Sequence, residues 1–198
     1  MMREGTRLLL IAGIAGLCGL GAALWMKSPG PIWGSESGQR LLQTALERPA
    51  PAGIASARRG EQVPPVMLKT LDGEITPLPL PAGKTTLINV WATWCSPCIQ
   101  EMPLLAEFAS NPNAGDVQVI GIALDEAQAV QAWLSRMPSP YPHYLDTPGQ
   151  RDASVQLGNR AGVLPYTVLI DAEGKLLKQR IGPFHSAQDV SQWSRTSL

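Results

Sequence analysis

Apolar positions along this chain recur with helical spacing in some stretches and as short continuous runs in others. One stretch has no polar face at all. Residues 8–26, LLLIAGIAGLCGLGAALWM, carry no charge. As a helix they would rise about 28 Å, close to the hydrocarbon thickness of a bilayer. Residues 28–62 are rich in Pro, Gly, Ser and Ala and read as a stalk. A short helix is expected within it over Glu36–Glu47, where Leu41, Leu42, Ala45 and Leu46 share a face, ended by Pro49 and Pro51. The pattern then changes. Val66, Leu68 and Leu71 suggest a strand, Asp72-Gly73 a turn, and Glu74–Leu78 a second strand. Thr85–Thr93 is nearly continuously apolar, as expected of a strand covered on both faces. Ile99, Met102, Leu105 and Phe108 follow at helical spacing, with Pro103 expected to kink or interrupt the helix. Val117–Ala123 reads as a strand and Ala127–Met137 as a helix. Leu145 begins a short element, and Ala153–Leu157 is helical. Tyr166–Ile170 and Leu176–Ile181 read as strands around an Asp171–Gly174 turn, and Gln188–Trp193 as a last helix. A β-hairpin, then βαβα, then ββα predicts one α/β domain with a central mixed sheet and helices on both faces. The expected division is 1–27 for an anchor or signal segment, 28–62 for the stalk and 63–198 for the domain.

Charge adds little to this picture. Lys and Arg number 16 and so do Asp and Glu. Without a basic excess there is no electrostatic case for nucleic-acid binding. Arg3 and Arg7 precede the apolar segment and Lys27 follows it, a bias that places the N-terminus inside and the bulk of the chain outside. The run is long for a cleaved signal peptide, although Gly21 and Ala23 supply a small-residue pair for cleavage. An uncleaved anchor through residues 8–26 and a soluble periplasmic product are therefore the two export readings. Both put the domain where disulfides persist. Cys18 lies inside the apolar segment, and Leu17 before it fits a lipoprotein attachment site poorly. Only Cys95 and Cys98 remain in the soluble part, too few for a disulfide-stapled scaffold.

Trp94-Cys95-Ser96-Pro97-Cys98 stands where a buried strand turns into a helix. A CxxC admits dithiol exchange, half of a metal site, or a structural bridge. Four-cysteine zinc lacks a second pair, and the histidines, His143 and His185, both read as surface residues. A structural bridge would close only a tiny loop. At a βα junction redox exchange is the expected chemistry. Cys95 at the helix start lies near unpaired N–H groups that favour its thiolate, so it is the expected nucleophile. Cys98, one turn deeper, is the expected resolving thiol. Trp94 either shields the thiolate and offers a flat docking surface or is a core tryptophan. Pro97 removes a donor and stiffens the loop. No metal and no cofactor is expected.

At these residues the chain resembles the thioredoxin superfamily, and most closely the TlpA/ResA-like membrane-tethered thiol-disulfide oxidoreductases. The resemblance rests on NVWATWCSPCIQEMP from Asn89 to Pro103 and GVLPYTVLIDAEGKLL from Gly162 to Leu177, and extends over roughly residues 63–195. It implies a thioredoxin-like fold with an N-terminal β-hairpin extension. It also implies that Pro165 is cis beside the sulfurs and that the Leu164 backbone pairs with an extended substrate. From the residues alone Pro165 equally begins an edge strand with a trans bond. Asn89 takes the place of the buried acid of ordinary thioredoxins; it accepts no proton from Cys98 but holds a strand or a water by hydrogen bonds. Glu101 fits the WCxPCxxE pattern, and its plain reading is an exposed helical carboxylate. Glu126 is a candidate for proton transfer, its plain reading a carboxylate at a helix start.

The resemblance further implies a reductant in an oxidising compartment, recharged by a membrane thiol-transfer protein. Its substrates would be protein disulfides such as those of apocytochrome c or copper-site proteins. Three alternatives use the same pair: a disulfide-forming oxidase, a Cu(I)-holding metallochaperone, and a peroxidase, for which no peroxidatic motif is present. A redox-silent interaction module is at odds with an intact WCSPC.

Overall fold

The computed structural model describes residues 35–46, 48–80, 83–111 and 117–195. The apolar segment 8–26, with Cys18, lies outside them. No helix among the described residues is long and apolar enough to cross a membrane.

Seven strands form one sheet: β1 (Met67–Lys69), β2 (Ile75–Pro77), β3 (Thr85–Trp91), β4 (Val117–Leu124), β5 (His143–Asp146), β6 (Tyr166–Ile170) and β7 (Leu176–Ile181). The helices are α1 (Glu36–Leu46), α2 (Ser96–Ser110), α3 (Ala127–Arg136), α4 (Ala153–Gln156) and α5 (Ala187–Ser194). The strand order is β2-β1-β5-β4-β3-β6-β7. Strands β3, β4 and β5 run parallel, and β6, β7, β1 and β2 join antiparallel. The hairpin therefore extends one edge of the mixed sheet that its pattern predicted.

Alternation along the central strands divides the core in two. Ile88 and Val90 of β3 join Ile120, Ile122, Tyr166 and Val168 on one face, with Leu42 and Leu46 of α1 and Ala153 of α4 packed there. Leu87 and Trp91 face the other way, toward Leu105 and Phe108 of α2, Val130 of α3, and Val190 and Trp193 of α5. Helices cover both faces. Because β3 and β6 are covered twice, nearly every residue in them is buried.

Three expectations change. Pro103 does not interrupt α2, which runs unbroken to Ser110. Proline removes the N–H that would bond the Ile99 carbonyl, but burial of Met102, Leu105 and Phe108 holds the helix together. The expected stalk, where described, lies against the domain. Gln39 of α1 donates Nε2 to the Ile181 carbonyl and accepts from the Ile181 N–H, while Gln43 donates to the Gln179 carbonyl. These amides cover the open edge of β7, where unpaired backbone would otherwise remain. Finally, Leu41 is exposed whereas Gln39 is buried, so α1 docks by its glutamines as well as its leucines.

Candidate functional site

The carboxyl ends of the adjacent parallel strands β3 and β4 meet at one rim of the sheet, the position where α/β sheets place their chemistry. Thr93, just after β3, donates its N–H to Asp125 Oδ2 at 2.9 Å, and its hydroxyl bonds the same oxygen. Asp125 Oδ1 also accepts from the Glu126 N–H. Burial works to raise the Asp125 pKa, but the Thr93 and Glu126 hydrogen bonds outweigh it and hold the carboxyl below its usual range. Asp125 thus fastens the turn that carries the cysteines to the turn after β4.

Cys95 is the N-cap of α2, with extended backbone, and Pro97 lies in the first turn, where a missing N–H costs nothing. The Cys98 N–H donates to Cys95 Sγ at 3.3 Å, and the two sulfurs are joined as a disulfide. Cys95 keeps 6% of its surface and Cys98 none. Cys95 thus keeps a sliver of exposure at the positive end of a helix, and Cys98, one turn along, is fully enclosed. A helix N-terminus favours a thiolate at Cys95 over one at the enclosed Cys98. Trp94 is 67% exposed beside them, so it is not a core tryptophan; Trp91 fills that role. Pro97 is exposed as well.

The Leu164–Pro165 bond is cis. Leu164 packs on the cluster that contains both cysteines, and Pro165 is buried at the start of β6. The Pro165 carbonyl accepts from the Gly182 N–H, which ties the turn to the end of β7.

A buried polar chain runs between β3, α2 and β6. Asn89 points toward α2 between Leu87 and Trp91 and donates Nδ2 to Glu101 Oε1 at 2.7 Å and to Thr167 Oγ1 at 3.1 Å. Thr167 is its partner in the β3–β6 register. Glu101 Oε2 accepts from the Phe184 N–H at 2.9 Å. Arg180 lies 4.3 Å from the centre of the Phe184 ring and forms a two-pronged pair with Asp189. Glu101 is fully buried, which corrects its reading as an exposed carboxylate. Three residues after Cys98, it shares the sheet-facing side of α2. Burial pushes its pKa up to about 7, against the opposing pull of the Phe184 and Asn89 hydrogen bonds and the Arg180 charge.

Glu126 sits elsewhere. It is exposed at the start of α3, and its side chain makes no capping bond. The strand after which it falls aims the preceding residue, Asp125, at the cysteine turn instead. His143 is likewise misplaced as a surface residue: it is buried, accepts from Trp91 Nε1 at 3.2 Å, and burial pushes its pKa down to about 4. His185 is exposed. Asp125 and the burial of Glu101 are the features that sequence reasoning missed. The WCxPCxxE spacing was the signal for Glu101; for Asp125 there was none.

The Redoxin family profile matches residues 58–194. The chain is 31% identical over 144 residues to the thiol:disulfide interchange protein HelX of Rhodobacter capsulatus, covering 70% of this chain and 77% of the relative. It is 32% identical over 124 residues to the thiol-disulfide oxidoreductase ResA of Bacillus thuringiensis, covering 62% and 69%. The crystal structure of a thioredoxin-related protein from Neisseria meningitidis superposes with a TM-score of 0.54 at 30% identity, over 63% of this chain and 93% of that one. With a CxxC disulfide at the head of a helix on a thioredoxin-like sheet, the chain belongs to the Redoxin family as a TlpA/ResA-like thiol-disulfide oxidoreductase.

Proposed function

We propose that this protein is an extracytoplasmic, membrane-tethered reductase of protein disulfides. The observation that carries the reading is the asymmetry of the pair: Cys95 slightly exposed at the α2 N-terminus, Cys98 enclosed one turn along. In the dithiol form the Cys95 thiolate attacks a partner disulfide. A Cys95–partner disulfide forms and one partner thiolate leaves. Cys98, having lost its proton, attacks Cys95 Sγ; the intramolecular disulfide forms and the second partner thiolate leaves. Two electrons pass to the partner, and the protein ends in the oxidised state seen here. A thiol-transfer protein of the membrane returns two electrons by the reverse exchange.

Glu101 is the buried titratable group on the Cys98 side of α2, and its raised pKa suits a carboxylate that takes up the Cys98 proton near neutral pH. Trp94, Pro97 and Leu164 form the docking surface around Cys95, with Pro165 below it. Asn89 holds Glu101 rather than carrying a proton itself. The substrate class implied by the family resemblance is the cysteine pair of an apocytochrome c or of a copper-site protein. The apolar segment 8–26 and its flanking charges support the tether.

The test is a Cys98→Ala variant expressed at full length in intact cells. A mixed disulfide through Cys95 should accumulate on non-reducing gels, and its partner identifies the substrate. A midpoint potential well below those of strong oxidants supports the reducing direction. If Cys95 captured no partner and the wild-type pair were oxidised in vivo at all times, the reading would fall.

A further inference from the structure

A cavity of about 610 Å³ lies away from the cysteines. It lies beside β7, and its floor residue Tyr166 belongs to the core on the sheet face opposite α2. Its volume falls within the range of small-molecule sites. One wall is α1, through Arg40, Gln43, Thr44 and Leu46; another is Ala57, Arg58 and Arg59; a third is Gly158–Ala161 with Arg160. Four arginines from three separate chain segments therefore line one concavity.

The walls are built rather than draped. Gln39 and Gln43 pin α1 to β7. Ser56 donates to the Val155 carbonyl, the Ala57 N–H bonds the Gln156 carbonyl, and Arg160 Nε reaches Ser56 Oγ at 3.3 Å. The Tyr166 hydroxyl and the Gln179 amide bond one another at 2.8 Å on the floor. Much of this wall, including α1 and Ala57, precedes residue 58, where the family match begins. The cavity thus joins residues ahead of the matched region to residues within it, and none of its lining residues belongs to the cysteine turn.

We propose that this cavity binds an organic phosphate. Guanidinium forks match phosphate oxygens in pairs, and a tetrahedral group accepts them from several directions at once, which a planar carboxylate does less well. Leu46, Ala57, Ala161 and Ile181 line the same space, so the ligand carries an apolar portion next to its phosphate. Two sources share this chemistry: a soluble phosphate ester and the head of an anionic phospholipid. The full-length chain in neutral detergent is titrated calorimetrically with glycerol phosphate, with dihexanoyl phosphatidylglycerol, and with dihexanoyl phosphatidylcholine as the zwitterionic control. The titrations are repeated on Arg58→Gln/Arg59→Gln, both exposed positions, and on Arg160→Gln.

One-to-one saturable binding of an anionic probe, weakened about tenfold or more in either variant, is the expected result. Dithiol-dependent reduction of a small disulfide should be unchanged in both. Binding of the lipid without glycerol phosphate assigns the site to a membrane headgroup, and the converse to a soluble ester. No saturable binding of either anion at millimolar concentration would overturn the proposal. So would equal binding by wild type and both variants, or a response to phosphatidylcholine as strong as to phosphatidylglycerol.

Discussion

Asn89 Nδ2 and Glu101 Oε1 lie 2.7 Å apart in a fully buried pair, one on β3 and the other on α2, three residues after Cys98. The bond favours the ionised carboxylate, while burial favours the protonated one, and burial prevails. A carboxyl balanced near pH 7 is suited to exchange a proton at working pH. Glu101→Gln keeps the shape and loses the titration. Stopped-flow rates between pH 5 and 9 should show an inflection near 7 in the resolving step of the wild type and none in the variant, with the step slowed about tenfold to a hundredfold. Attack by Cys95 should change much less. Superimposable pH profiles would remove Glu101 from the exchange.

The same carboxyl sets a stability slope. Its ordinary pKa of 4.5 rises to about 7 in the folded protein. Between these values the folded chain holds a proton that the unfolded chain has released. The stability from this linkage is therefore full below about pH 4.5 and lost as pH rises through about 7. His143 acts with the opposite sign. Its pKa falls from 6.5 to about 4, so the unfolded chain gains a proton that the folded one refuses, and stability rises with pH across that window. The two partly cancel in the wild type. Urea midpoints of oxidised Glu101→Gln should rise from pH 4 to 6.5. The pH-dependent part of the wild-type minus variant difference should decline between pH 4.5 and 7, by at most on the order of 3 kcal/mol. A pH-independent difference would contradict the buried, protonatable carboxyl.

Strand β6 was legible because two-sided burial leaves a nearly unbroken apolar run over Tyr166–Ile170, and β7 because Leu176–Ile181 returns directly from the Asp171–Gly174 turn. The cysteine turn was legible because CxxC at a βα junction has few other uses. Polar residues that the tertiary structure encloses were not. Glu101 has the local pattern of a surface residue, and only the Asn89 and Phe184 donors brought to it by β3 and the β7–α5 loop make its burial tolerable. Gln39 is buried because a strand edge needed pairing, a need visible only once β7 is known to be an edge. Asp125 and Glu126 differ by one position, and the direction in which β4 leaves the sheet decides which of them meets the cysteine turn.

Trp94 presents an indole with 67% exposure next to Cys95. Such a ring contributes little to folding and much to a protein interface. Trp94→Ala should leave stability within about 0.5 kcal/mol of wild type, measured on the oxidised form. Its kcat/KM for a protein disulfide should fall about tenfold, corresponding to about 1.4 kcal/mol. The rate with a small-molecule disulfide should change far less. Equal losses on both substrates would make the ring part of the chemistry rather than of docking.

His143 is buried because Gly121, its parallel neighbour on β4, makes room for it. A Cβ at residue 121 would collide with the imidazole ring. The ring cannot simply retreat: Trp91 Nε1 donates to its Nδ1, and the Tyr141 ring lies 4.7 Å away, centre to centre. Gly121→Ala should therefore destabilise by about 1–3 kcal/mol through overpacking. Gly149→Ala, where the added methyl meets open space, should stay within about 0.5 kcal/mol of wild type. His143→Ala alone leaves a cavity and an unpaired Trp91 N–H, and is destabilising in its own right. Combined with Gly121→Ala it supplies the space the methyl needs, so the double variant should be more stable than the sum of the single losses predicts, by at least about 0.5 kcal/mol. Strict additivity in denaturant unfolding would mean that the glycine is required by the strand and not by the histidine.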